Sequence, residues 1–134
     1  MKTVRGSHAG PVVLVVDDSE LLRSSVVGLL EIRFPHARIH TAEDGKAALE
    51  SAHALRPDVV LMDINLPGID GIEATRRIRA EFPSADVVML TTHDTPQHRL
   101  AAARAGAAAF IPKQKMDARL APVLQKLLRA RDSR

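Results

Sequence analysis

The chain has 134 residues, room for one ordinary domain but not two, and its composition of 46% hydrophobic and 26% charged residues is globular, which excludes disorder and collagen-like repeats. It has no Cys, which removes disulfides, thiolate zinc sites, iron–sulfur clusters and cysteine nucleophiles. The net charge of +3 sits at the ends, because residues 11–114 hold 11 basic against 14 acidic groups.

Residues 1–10 are expected to be a flexible N-terminal tail, 11–131 a single domain and 132–134 a short C-terminal tail. Within the domain, short apolar runs alternate five times with stretches of helical period, which is the pattern of a βα protein. Val12 to Val16 forms the first strand candidate, and a cap at Asp18 or Ser19 opens a first helix with Leu21, Leu22, Val26, Leu29 and Leu30, closed by Pro35. The second strand, Arg38 to Thr41, alternates and therefore suits a sheet edge, whereas the other runs are continuous and suit strands buried on both faces. Asp44 opens a second helix that Pro57 closes, Val59 to Met62 forms the third strand, and Ile72, Ile78 and Phe82 mark a third helix ended by Pro83. Val87 to Leu90 is the fourth strand; Thr95-Pro96 starts a fourth helix that Gly106 ends. Ala107 to Ile111 is the fifth strand, and a fifth helix runs from about Asp117 through Leu120, Leu124 and Leu128. Right-handed crossovers then give an α/β fold, a doubly wound five-stranded parallel sheet. Pro112 belongs at an edge or a strand terminus, so strands two and five flank the order 2-1-3-4-5, a flavodoxin-like (βα)5 arrangement.

In such a sheet ligands bind at the carboxyl ends of the strands. Strand one ends in Asp17-Asp18, strand three in Asp63, strand four in Thr91-Thr92 and strand five in Ile111-Pro112-Lys113, so three carboxylates, a hydroxyl and an ammonium meet at one rim. Crowded carboxylates need a cation, and an oxygen-rich cluster suits Mg²⁺, which keeps waters and leaves room for phosphoryl oxygens. Phosphoryl transfer needs an in-line nucleophile, a cation and donors for the remaining charge. Asp63 supplies the nucleophile and can carry an acyl phosphate, Lys113 the positive charge and Thr91 the hydroxyl.

These residues resemble the receiver domain of two-component response regulators over nearly the whole chain. Val12-Val13-Leu14-Val15-Val16-Asp17-Asp18 is similar to the family's first strand with its acidic pair, and Asp63-Ile64-Asn65-Leu66-Pro67-Gly68-Ile69-Asp70-Gly71 to its phosphoacceptor segment. Leu90-Thr91 matches the switch hydroxyl, Phe110 the switch aromatic and Lys113 the lysine of the site. The resemblance implies phosphotransfer to Asp63 from a sensor histidine kinase or a histidine phosphotransfer protein. It implies Mg²⁺ held by Asp18, Asp63 and the backbone carbonyl of Asn65, with Asp17 acting through the metal's waters. It further implies that Thr91 swings toward the phosphate and Phe110 turns inward, changing the surface of helix four, strand five and helix five. Asn65 and His93 flank the phosphate by analogy and tune its lifetime.

The family often has Pro after the lysine, on a cis bond; here Gln114 follows. A non-Pro cis bond costs about 3 kcal/mol, so a trans bond and a different loop are expected. Lys113-Gln114-Lys115 resembles receivers attached to helix-turn-helix output domains. The expectation is therefore a stand-alone receiver or one cut from a longer regulator, acting on a downstream protein or a missing output domain, with phosphorylation-dependent homodimerisation open. Three Phe and no Trp or Tyr leave no platform for stacking bases, so direct nucleic-acid binding is not expected. No apolar run approaches the roughly 20 residues of a membrane helix and no secretory signal opens the chain; a cytoplasmic protein without membrane contact is expected. Thr92 competes with Thr91 for the hydroxyl role. Arg76, Arg77 and Arg79 and the basic C-terminal helix read as solvated faces, the six His as surface residues and Phe110 as core. Two rival functions stand beside the switch: a phosphatase of the haloacid dehalogenase type, and a scaffold that no longer uses phosphate. The phosphatase needs a general acid where Asn65 stands.

Overall fold

The inner strands are apolar on both sides because helices cover both. The computed structural model describes residues 10–132, so the expected tails at 1–10 and 132–134 lie outside it except for Gly10 and Asp132. In chain order the elements are β1 (Val12–Val16), α1 (Glu20–Arg33), β2 (Arg38–Ala42), α2 (Gly45–Leu55), β3 (Val59–Met62), α3 (Gly71–Glu81), β4 (Asp86–Thr91), α4 (Pro96–Ala105), β5 (Ala109–Pro112), a 3-10 turn (Lys113–Lys115) and α5 (Met116–Asp132). The sheet is parallel throughout, in the order β2-β1-β3-β4-β5.

Alternation along each strand divides the core. Leu14, Val16, Val60, Met62, Val87 and Met89 face Ala48, Ala52, Ala74, Ile78 and Ala102 of α2, α3 and α4. Val13, Val15, Val59, Leu61, Val88, Leu90 and Ile111 face Val26 and Leu30 of α1 and Leu120 and Leu124 of α5. The helices start at side-chain caps: Ser19 accepts from Leu22 N–H, Asp44 from Ala47 N–H, Asp70 from Glu73 N–H and Thr95 from His98 N–H. Each cap satisfies one of the amides that a helix start leaves unpaired. Gly106, at φ 101°, ends α4 in the left-handed conformation that glycine adopts without penalty.

Register sets the rim. Val16 pairs with Met62, Met62 with Met89, and Thr91 with Pro112, so four strands stop close to one level. The ladder runs one step further through Asp17 N–H to the Ala42 carbonyl at 3.1 Å and Asp63 N–H to the Val16 carbonyl at 3.0 Å. The backbones of both carboxylate residues are thereby part of the sheet rather than of free loops.

Three differences from the sequence reading have physical causes. The fifth strand spans Ala109–Pro112, not Ala107 to Ile111: Ala107 N–H still closes the end of α4 on the Ala102 carbonyl, and pairing with β4 begins only as Ala108 N–H reaches the Val87 carbonyl. Arg79 is not on a solvated face; its Nη1 donates to the carbonyls of Pro83 and Ala85 beyond α3, and its side chain lies on Gly106. Arg131 of the basic helix is likewise engaged, paired with Asp58 at 3.0 Å and Asp86 at 3.4 Å, which ties the end of α5 beneath β3 and β4. Arg76 and Arg77 do lie exposed, paired with Glu73. Among the described residues every peptide bond is trans, Lys113–Gln114 included.

Gly71 opens α3 directly against the backbone of Asp63 and Ile64, where an added Cβ has no room. Gly71→Ala is therefore expected to destabilise the fold by about 1–3 kcal/mol, read as a lower urea midpoint at unchanged slope.

Candidate functional site

Asp17 and Asp63 are each only 4% exposed and Thr91 is fully buried. Carboxylates this far from water must be paired or lose their charge. Lys113, which follows β5 across the rim, meets both: its Nζ lies 2.8 Å from Asp17 Oδ2 and 3.4 Å from Asp63 Oδ2. Carboxylate oxygens of Asp17, Asp18 and Asp63 lie within 4.8 Å of one another, the only such candidate metal cluster among the described residues. Asp18 is its exposed member.

The two buried carboxylates are held differently. Asp17 is fixed at every polar atom. Its N–H joins the ladder, Oδ1 accepts from Ser19 N–H at 2.9 Å, Oδ2 meets Lys113, and its carbonyl accepts from Arg23 Nη1 at 2.6 Å. The Asp63 carboxylate has only long contacts, 3.4 Å from Asn65 N–H to Oδ1 and 3.4 Å from Lys113 to Oδ2, beyond the usual range of strong hydrogen bonds. Burial pushes the Asp63 carboxyl above its ordinary value and the neighbouring Asp17 adds to the push, while Lys113 and the Asn65 amide pull the other way without cancelling it. One anion is thus a fixture and the other is left loosely bound in an environment that resists its charge.

The two hydroxyls differ in burial: Thr91 is the last residue of β4 and fully buried, whereas Thr92 is exposed. Thr91 Oγ accepts from His93 N–H at 3.1 Å, which leaves its own proton for another acceptor. Phe110 is half-buried rather than core. It packs on the α2–α4 side of the sheet while the Arg99 guanidinium lies over its ring at 4.8 Å. Arg99 in turn pairs with Asp94 at 2.5 Å, and this contact holds the Asp94 carboxyl below its ordinary range. The His93 and His98 rings face each other at 5.3 Å, with His98 Nδ1 on Thr95 Oγ at 2.7 Å. His36, His40 and His53 are exposed, in line with surface roles, and His8 lies outside the described residues. Among the described residues no helix is long and apolar enough to cross a membrane.

Sequence reasoning passed over Arg23. Its signal was its place one turn into α1: long helical side chains lean toward the helix N-terminus, and from there a guanidinium reaches the loop that carries the acidic pair.

Comparison with known proteins identifies the family. Residues 13–125 match the response regulator receiver domain family. The chain is 34% identical over 106 residues to the transcriptional regulatory protein DegU of Brevibacillus brevis, a match covering 79% of this chain and 44% of DegU. It is 32% identical over 114 residues to the response regulator protein VraR of Staphylococcus saprophyticus, covering 85% of this chain and 54% of VraR. The chain spans about half the length of the curated relatives it matches. Its structure aligns with a LuxR-family two-component response regulator from Aurantimonas sp. at a TM-score of 0.84 and 32% identity, covering 90% of this chain and 86% of that one.

Two outcomes are expected from the charge balance. Because the folded-state value of Asp63 is raised, its ionised form costs stability, a cost absent below the ordinary carboxylate range and complete above the folded-state value. Asp63→Asn, which leaves Lys113 paired with Asp17, should therefore raise the Tm by a few degrees at neutral pH without divalent cations, and the gain should vanish by about pH 3; a gain that is the same at all pH values contradicts this. Lys113→Met removes the one cation facing two buried carboxylates and should cost about 3 kcal/mol at neutral pH, with recovery in acid, both read from urea melts across pH.

Proposed function

Because this chain belongs to the response regulator receiver family, we propose that residues 11–131 form one working phosphoacceptor unit, in which Asp63 takes a phosphoryl group and the change is read out on the surface of α4, β5 and α5. The observation that carries the reading is the contrast between the Asp17 carboxylate, fixed on both oxygens at 2.9 Å or less, and the Asp63 carboxylate, held only at 3.4 Å by Asn65 and Lys113. A nucleophile must be free to move onto phosphorus, and a neighbour that only balances charge must not.

In the proposed step an Asp63 oxygen attacks the phosphorus of a phosphohistidine on a sensor kinase or a histidine phosphotransfer protein. The O–P bond forms as the N–P bond breaks, and the electron pair of that bond leaves with the imidazole. The donor set fits a hard divalent cation: three carboxylates with oxygens inside 4.8 Å, two buried and one open to solvent. Asp18, Asp63 and the Asn65 carbonyl would hold Mg²⁺, with Asp17 acting through its waters, and the ion supplies positive charge to the carboxylates and to the phosphoryl oxygens. Lys113 already sits between Asp17 and Asp63 and keeps one positive charge beside the acceptor. Thr91 has a hydroxyl proton to offer a phosphoryl oxygen. Its movement and the inward turn of Phe110 from beneath Arg99 would rearrange α4 against β5. Asn65 and His93, two residues past Asp63 and Thr91, would set how readily water reaches the phosphoryl group.

Asn65 has no acidic proton to give a leaving alkoxide, so the phosphatase of the haloacid dehalogenase type lacks its general acid. The unit therefore catalyses its own phosphorylation and dephosphorylation and acts as a switch. Its setting would be the cytoplasm. Its downstream partner would be a protein or an output domain outside this sequence, with a phosphorylation-dependent homodimer as one form of output.

Intact-protein mass after acetyl phosphate treatment tests the reading. One phosphoryl adduct that requires Mg²⁺ and is absent in Asp63→Asn is expected. An adduct that persists in Asp63→Asn, or many turnovers on small phosphate esters without a stable adduct, contradicts it.

A further inference from the structure

The Asp18 carboxylate is the least restrained member of the acidic cluster. It is exposed, and among the described residues no donor or cation contacts it. The peptide plane that joins it to Asp17 fixes where the Asp18 Cα, and with it the root of the side chain, departs from the end of β1. The carbonyl of this peptide is the group that accepts the 2.6 Å hydrogen bond from Arg23 Nη1.

Arg23 is itself well placed for the task. Its backbone N–H closes the first turn of α1 on the Ser19 carbonyl at 2.9 Å, and its side chain is half-buried in a groove of about 340 Å³ between α1 and β2, with Glu20, Ser24, Val27 and Thr41 along the walls. Among the described residues no carboxylate pairs with it, so the guanidinium makes its polar contact with a backbone carbonyl although acidic groups lie near. A planar guanidinium holds a carbonyl in a defined direction; a flexible ammonium does so less well.

We infer that Arg23 is a positioning residue: by clamping the Asp17 carbonyl it sets the Asp17–Asp18 peptide so that the Asp18 carboxylate points into the cluster and completes a divalent-cation site. The inference rests on the reading of Asp18 as a cation ligand. Its electrostatic consequence has the opposite sign. A guanidinium beside a cation site repels the incoming ion, so neutralising it should tighten binding if charge alone mattered. Weakened binding on neutralisation is therefore the signature of orientation.

The test is Mg²⁺ titration of the whole chain, followed by backbone amide NMR, for wild type, Arg23→Met, Arg23→Lys and Asp18→Ala, with thermal melts in EDTA for each. Arg23→Met should weaken Mg²⁺ binding about tenfold, the size of effect that lost supporting contacts have on metal affinity, and Arg23→Lys should fall between it and wild type. Phosphorylation by acetyl phosphate at saturating Mg²⁺ should return to the wild-type rate in Arg23→Met, because the residue acts on assembly of the site and not on the transfer. Unchanged or tighter Mg²⁺ binding in Arg23→Met, with Asp18→Ala weakened, overturns the positioning role and leaves the cation site standing. Full affinity in Asp18→Ala removes the cation site and the inference with it. Should Arg23→Met not fold, Arg23→Lys decides alone: it keeps the charge and loses the planar fork, so weaker binding supports the role and unchanged binding overturns it.

Discussion

Everything at the rim depends on one ammonium between two buried carboxylates. Lys113 comes from the end of β5, Asp17 from the end of β1 and Asp63 from the end of β3, so the contact closes a sheet whose strands are far apart in sequence. Without the cation, two anions inside the fold would face each other with little water to screen them. With it, the balance is still uneven, because one charge serves two and stands nearer to Asp17. At Asp63 burial outweighs what Lys113 returns, with Asp17 adding to the push, so its carboxyl stays above its ordinary value. On the proposed reading a divalent ion would offset that push, and a phosphoryl group would meet a carboxylate that nothing else holds tightly.

This unevenness connects fold to function through the ladder. Asp17 and Asp63 both continue the backbone pairing by one residue past their strands, which fixes their main chains to the same sheet. What distinguishes them is the loop that follows. After Asp17 the chain turns at once into α1, with Ser19 as cap, and the side chain and carbonyl are both drawn into that turn. After Asp63 it runs through Asn65 to Gly71 before α3 begins, and the close approach of Gly71 to the Asp63 backbone sets the main chain without restraining the carboxylate.

Much of this was legible in the sequence because burial on both faces writes itself as continuous apolar runs. Val12–Val16 and Val59–Met62 have the bounds that their runs suggest, and the acid that follows each run lies at the rim. Capping chemistry marked the helix starts at Asp44 and Thr95 and narrowed the first to Asp18 or Ser19, of which Ser19 is the cap. The start of β5 was not legible: Ala107, Ala108 and Ala109 carry the same side chain, and only hydrogen bonding shows where the helix end stops and the strand begins. Arginine was the other blind spot. Arg79, Arg131 and Arg23 look like surface charge in a sequence, but each spends its guanidinium on a carbonyl or carboxylate that the fold alone brings within reach.

The central claim is that burial, aided by Asp17, outweighs Lys113 at Asp63 and leaves that carboxylate poised. Carboxyl ¹³C NMR titration of Asp63 in the absence of divalent cations measures it directly, in the wild type, in Asp17→Asn and in Lys113→Met. The account predicts an Asp63 carboxyl that titrates above the ordinary carboxylate range, falls when Asp17 loses its charge and rises further when Lys113 is removed. An Asp63 that titrates at or below the ordinary range and is indifferent to both substitutions would contradict it.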